Sequence, residues 1–273
     1  MRLFAVLFSL FLIFGTQAEN TRDSRAIRDT LFKCKHVVHK KHAAIHTNIL
    51  RGINFQKADS RTIPPMALSS VKKIDPSLKA DREMFLKSII AAIKCVNKII
   101  MEHRDLVLLV KNQGISQLSA AQKEKFDMIC SFYRSSNVNE LLKRVAPVPV
   151  SLAAAQAALE SGFGSDKYIH NTNAYFGIMK NSKQLHSFDT LFESTIAYAK
   201  TLNVNNSYRQ FREARSQMLN ASKKIDGIKL CAFIGKYCVK KEYRRKVITL
   251  INDYNLTSLD QTYQHYSLNK NCG

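Results

Sequence analysis

Glu160 is the residue whose surroundings are best suited to acid chemistry. It ends the run SLAAAQAALE, residues 151–160, and Ser161-Gly162 follows it. A helix rich in Ala and Leu should be buried, and its last residue here is an acid. The C-terminus of a helix carries partial negative charge, which disfavours a carboxylate. Apolar neighbours disfavour it too, so both effects push the pKa upward. A carboxylic acid that keeps its proton near neutral pH is what general-acid catalysis requires. In glycoside hydrolysis such a group protonates the leaving oxygen. Helix, acid and glycine alone also fit a carboxylate that merely ends a helix and points into water.

The elements that would position this acid can be read from the pattern around it. Ser151 is placed to cap the helix, and Gly162 supplies a left-handed stop. Downstream, Asn173–Phe188 holds Tyr175-Phe176-Gly177-Ile178-Met179, then a polar turn at Lys180-Asn181-Ser182-Lys183, then Leu185–Phe188. That pattern predicts a small β-hairpin. Upstream, Phe85, Ile89, Ile93, Val96 and Ile100 recur at helical spacing within residues 81–101, and the helix should continue toward Val110 and stop before Gly114. Ser119 should cap a helix through about Tyr133, and Asn139–Val145 should form another before Pro147 and Pro149. Helices are expected again at Glu193–Leu202, Tyr208–Asn220, Asp226–Lys236 and Glu242–Tyr254. With nine glycines and five prolines in 273 residues, a β-sandwich is disfavoured. The expected class is α+β and predominantly α-helical.

Forty-two Lys and Arg against 21 Asp and Glu give a net charge of +21. A chain so basic is drawn to polyanions: nucleic acid, anionic lipid or acidic wall polymer. Residues 1–18, MRLFAVLFSLFLIFGTQA, have the basic start, short apolar run and small-residue end of a cleavable signal peptide. Cleavage there would leave a chain with no membrane-spanning segment, and a periplasmic or secreted location is expected. Export weakens the nucleic-acid reading, and no nucleic-acid motif supports it. In an oxidising compartment Cys34, Cys95, Cys130, Cys231, Cys238 and Cys272 permit up to three disulfides of undetermined pairing. His36, His39, His42 and His46 share one side of a possible helix. No Asp or Glu lies nearby to orient them, so a solvated face is favoured over a metal site, and neither metal nor cofactor is expected.

Glu160-Ser161-Gly162-Phe163-Gly164 resembles the E-S-G-W-G motif of glycoside hydrolase family 73, the mannosyl-glycoprotein endo-β-N-acetylglucosaminidase-like domain. Asn173-x-Tyr175-Phe176-Gly177 resembles its N-x-L-F-G motif. The likeness is strongest to the Bax-type proteins of Gram-negative bacteria and extends over roughly residues 64–256. It takes in Phe188-Asp189-Thr190-Leu191-Phe192-Glu193-Ser194, the pair Tyr237 and Tyr243, and Leu250–Leu256. Phe163 stands where the motif has Trp.

This resemblance implies a lysozyme-like catalytic domain with a small β-hairpin, preceded by a helical N-terminal region. The boundaries it suggests are a signal peptide at 1–18, a basic His-rich extension at 19–60, a helical region at 61–140, the glucosaminidase domain at 141–257 and a tail at 258–273. It implies a peptidoglycan hydrolase that cuts the β-1,4 bond after N-acetylglucosamine, with glycosidase rather than amidase activity. Glu160 takes the place of the general acid, with Tyr237 in the same site. Ser161, Asn173, Tyr175, Phe176, Gly177 and Tyr243 would contact the saccharide. Some relatives carry a second carboxylate in the hairpin, but Ile178–Phe188 contains no Asp or Glu. Asp189 and Glu193, just beyond, are the replacements, although acids at a helix start often serve as caps. The substrate's own acetamido group is another route. The alternatives are a muramidase or lytic transglycosylase on the same fold, or a catalytically weak glycan-binding envelope protein.

Overall fold

The structure is a computed structural model. It describes residues 75–260 apart from 182, 223, 236 and 238–240. The expected signal peptide, the His-rich extension, the tail beyond 260, and Cys34, Cys238 and Cys272 lie outside the described residues. Cys95, Cys130 and Cys231 form no disulfide with one another.

Helix α1 is Lys79–Gln113. At 1.5 Å per residue it is about 52 Å long. Its stripe of Phe85, Ile89, Ile93, Val96 and Ile100 is buried, as the spacing predicts. The helix ends at Gly114, whose φ is +84°. No helix among the described residues is long and apolar enough to cross a membrane. Helix α2, Ala120–Tyr133, opens on a reciprocal capping box. Ser119 Oγ accepts from Gln122 N, and the Gln122 side chain accepts from Ser119 N. Helix α3 is Val138–Arg144 and α4 is Val150–Ser161. Then come α5, Lys167–Thr172; α6, Leu191–Val204; α7, Arg209–Ser222; the single turn α8, Gly227–Leu230; and α9, Lys241–Asp253. A last 3₁₀ turn is Leu256–Leu259.

Helix α4 lies at the centre, packed by α1, α8, α9 and the last 3₁₀ turn. Every residue from Val150 to Ala158 is buried. Alanine dominates this helix, so its neighbours can approach closely. The helical region ahead of it is not set apart, because α1 packs along α4 and α6.

The start of α4 departs from expectation. Pro149 is the N-cap, and Ser151 lies inside the helix, fully buried. One orphan donor of the first turn, Ser151 N, is met from 109 residues away. Asp260 accepts from Ser151 N at 3.0 Å and from Ser151 Oγ at 2.6 Å. It also accepts from Gly227 N at 2.9 Å, which ties α8 to the same carboxylate. Burial lifts the Asp260 pKa, and these donors pull it back. The segment before α4 is pinned as well. Asn97 donates to Val148 O and accepts from Val148 N, at 2.8 and 2.9 Å. Arg215 donates to Pro147 O. One end of α4 is thus fixed by α1, α7 and Asp260, and the other end carries Glu160.

The expected hairpin is reduced to one isolated antiparallel bridge, Met179 with Leu185. The fold of the described residues is therefore predominantly helical, without a named strand. Two further backbone bonds, Lys180 N to Gln184 O and His186 N to Ile178 O, close the turn. Beyond His186 the returning limb is drawn away, since Phe188 N bonds Thr172 O. The Asn173 amide then holds the carbonyls of Phe188 and Asp189. The ladder has no room to lengthen.

Candidate active site

Glu160 occupies the last turn of α4. The helix is closed by Gly162 at φ +54°, with Phe163 N bonded back to Ala158 O at 2.9 Å. This is a Schellman-type stop. Phe163 and Gly164 also have positive φ, 58° and 79°. That is costly for a phenylalanine, and its ring is held between Phe85 and Tyr254, at centroid distances of 6.0 and 5.7 Å. Ser161 is fully buried. Its hydroxyl donates to Ala157 O and accepts from Gly164 N. Ser161 thus builds the turn rather than facing solvent.

The carboxyl of Glu160 lies directly over Gly177. A Cβ on Gly177 would sit 2.7 Å from Glu160 Oε2, and its φ is +63°. Both facts require glycine at that position. Tyr237 donates from its hydroxyl to Phe176 O, the carbonyl just before that glycine. The half-buried Tyr237 ring also lies parallel to Tyr243 at 6.1 Å and edge-on to Tyr198 at 6.2 Å.

A chain of hydrogen bonds runs from the core to Tyr243. Tyr198 donates to Gln156 Oε1 at 2.8 Å, and Gln156 Nε2 donates to the Tyr243 hydroxyl at 2.9 Å. The Tyr243 hydroxyl is near enough to the Glu160 carboxyl to influence its titration. Gln156 and Glu160 are four residues apart on α4 and so share a face. Burial raises the Glu160 pKa above the ordinary glutamate range, and the Tyr243 hydroxyl partly offsets this. The surrounding tyrosines are held protonated. Tyr208 is pushed up to about 12 by burial and by the Glu160 charge. Burial raises Tyr237 and Tyr243 as well. The result is a half-buried acid within electrostatic reach of the neutral hydroxyls of Tyr208, Tyr237 and Tyr243.

Other residues singled out from sequence are placed differently. Tyr175 and Phe176 are fully buried, Tyr175 against Phe85 and Phe176 stacked on Tyr198 at 4.4 Å. Asn173 is the left-handed C-cap of α5, and its amide group is committed to the Phe188 and Asp189 carbonyls. None of these three offers an open face to a sugar here. Thr190 caps the start of α6, its Oγ1 accepting from Glu193 N, and Glu193 Oε2 accepts from the backbone N of Asp189, whose own carboxylate takes no part. Among the described residues no bond joins either acid to Glu160. No cluster of three His, Cys, Asp or Glu converges there to hold a metal. Gln156, Tyr198 and Tyr208 were not singled out from sequence. Gln156 had a signal, being the one amide on α4 and one turn before the acid. Tyr198 and Tyr208 had none, because a tyrosine in an apolar helix reads as core.

Residues 136–256 match the glucosaminidase family model, described as mannosyl-glycoprotein endo-beta-N-acetylglucosaminidase. The chain is also similar to Protein bax of Escherichia coli (strain K12), 29% identical over 197 residues, covering 65% of this chain and 71% of that protein. No solved structure matches the chain. On these likenesses, residues 136–256 are similar to the glucosaminidase family, and the chain as a whole resembles a Bax-type protein.

Proposed function

We propose that this glycan-cleaving hydrolase is exported and acts on peptidoglycan strands, cutting the β-1,4 bond after N-acetylglucosamine with Glu160 as general acid. The observation that carries the proposal is the Glu160 carboxyl. It is half-buried over Gly177, and burial raises its pKa. Such a group donates its proton to the leaving oxygen as the glycosidic bond breaks. Tyr243 stabilises the carboxylate left behind, and Tyr237, in the same site, holds the Phe176 carbonyl next to Gly177. Ser161, Asn173, Tyr175 and Phe176 act by positioning, because they fix the two turns that bring Glu160 onto Gly177. The basic surface holds the enzyme near anionic wall polymers. A lysozyme-like arrangement of the catalytic domain is part of this proposal.

The test is a digest of purified peptidoglycan by the protein and by Glu160→Gln, with products reduced by borohydride and read by mass spectrometry. Reduced N-acetylglucosamine ends, absent with the variant, are expected. Reduced muramic ends would replace this reading with a muramidase. Anhydro-muramic ends would replace it with a lytic transglycosylase, which needs no base for water. The Glu193 carboxylate is held at the α6 start, and among the described residues no bond joins it or Asp189 to Glu160; this favours a route without a second carboxylate, by transglycosylation or by the substrate's own acetamido group.

Two further results are expected at this site. As a general acid, Glu160 works protonated, so kcat/KM should fall as pH rises through its folded pKa. The Tyr243 hydroxyl lowers that pKa. Tyr243→Phe should therefore move the alkaline limb of the pH profile to higher pH, and a limb that stays or moves down would contradict the assignment. Gly177→Ala should strain the left-handed backbone by about 1–2 kcal/mol and push the carboxyl aside. Since a misplacement of ~1 Å can cost about 10²-fold, turnover should fall at least tenfold with a modest loss of thermal midpoint. Unchanged turnover would show that the Glu160–Gly177 contact is not used.

A further inference from the structure

A second cleft, of about 380 Å³, lies between α1, α3 and α7. It is lined by Arg104, Lys111 and Lys143, with Asn139, Ser216 and Asn220 as neutral polar groups. Met101, Leu108, Leu142 and Leu219 supply an apolar wall. No Asp or Glu lines it, and it shares no residue with the Glu160 site. Its volume falls in the range of small-molecule sites, roughly 300–1,000 Å³.

The three cations are differently held. Arg104 is half-buried, and one amino group of its guanidinium donates to Leu142 O and Val145 O. Those bonds fix the charge in place. Its Nε and second amino group have no partner among the described residues. Lys111 is exposed and Lys143 half-buried, and neither is ion-paired with a described carboxylate. Asp105, next in sequence, offsets the Arg104 charge in part, but three cations face one cavity with no acid in its lining, which attracts an anion. An arginine presents two parallel donors to an oxyanion, and the lysines add point charges. The leucines and Met101 would take a carbon chain but not a bare ion.

We propose that this cleft binds a small organic anion: a phosphate or carboxylate head on a short apolar body. The head meets Arg104, Lys111 and Lys143, and the chain lies along Leu108, Leu142 and Leu219. The inference does not depend on the glycan reading, because no residue of the Glu160 site takes part.

The test is calorimetric titration of the full chain with hexyl phosphate and with heptanoate, with inorganic phosphate and hexanol as controls. Hexyl phosphate or heptanoate should bind at submillimolar concentration, and the tighter of the two identifies the head group. Inorganic phosphate and hexanol should each bind at least tenfold more weakly. Lys111→Ala/Lys143→Ala removes two charges from side chains that carry no described ion pair, so the fold should be kept. It should weaken binding at least tenfold, and Leu108→Ser should do so to a similar extent. Glu160→Gln should bind as the parent does. Binding unchanged in the double variant, equal binding of inorganic phosphate, or no binding by either amphiphile would overturn the proposal. Loss of binding in Glu160→Gln would move the site to the acid centre and overturn it too. None of these readings is affected if the peptidoglycan digest fails.

Discussion

Glu160→Gln is expected to lower the release of reducing ends from purified peptidoglycan by about 10²–10⁴-fold, the usual worth of a positioned acid. Glutamine keeps the shape of the side chain and can still accept from the Tyr243 hydroxyl, so only the transferable proton is lost. Stability supplies a second signature. The folded pKa of Glu160 is raised above its unfolded value by burial. The folded state therefore holds the proton more tightly than the unfolded chain does. The associated stability is fully present below the unfolded pKa and is lost as pH rises through the folded one. Urea unfolding should show the parent losing stability relative to the variant as pH rises through the folded pKa of Glu160, and the difference should vanish below the unfolded pKa. A variant that keeps more than a tenth of the parent's turnover would sink the general-acid assignment.

Asp260→Ala is expected to destabilise the protein by about 3–5 kcal/mol, because two buried N–H groups and a buried hydroxyl lose their acceptor at once. These groups are Ser151 N, Gly227 N and Ser151 Oγ. Ser151→Ala removes only the hydroxyl contact and should cost about 1 kcal/mol. Gly227→Ala attacks the same junction by bulk, since its Cβ would fall 2.1 Å from Ser151 Oγ and 3.0 Å from Asp260 Oδ2. Urea midpoints of the three variants measure the ranking. An Asp260→Ala loss no larger than that of Ser151→Ala would mean that water replaces the carboxylate. Turnover should fall with Asp260→Ala only to the extent that folded protein is lost, since the change lies at the opposite end of α4 from Glu160.

The helices were legible because their signals are local. The apolar stripe of α1, the capping box at Ser119 and the left-handed stop at Gly162 each depend on residues a few positions apart. Asp260 was not legible as the partner of α4, since nothing in a local window links it to Ser151. The alternating pattern of 173–188 suggested strands. Phe188 and the Asn173 amide instead bind the returning limb elsewhere, and no alternation reports that competition. Glu160 and Gly177 stood out from their flanking residues, and the structure brings them together. That Tyr175 and Phe176 are core, and that Gln156 links Tyr198 to Tyr243, are facts of packing between elements. Ring type alone says only that an aromatic is wanted, not which face it covers.

The contact between Ser151 and Asp260 also sets an order of events. The two residues are 109 positions apart. At translation rates of about 5–20 residues per second, Asp260 is made roughly 5–20 s after Ser151. Throughout that interval α4, the helix that carries the acid, lacks the carboxylate that accepts from Ser151 N. Contacts of such long sequence separation form late, after the cost of loop closure has been met. The junction of α4 with α8 and the last turn is thus expected to form late, after Asp260 has been made.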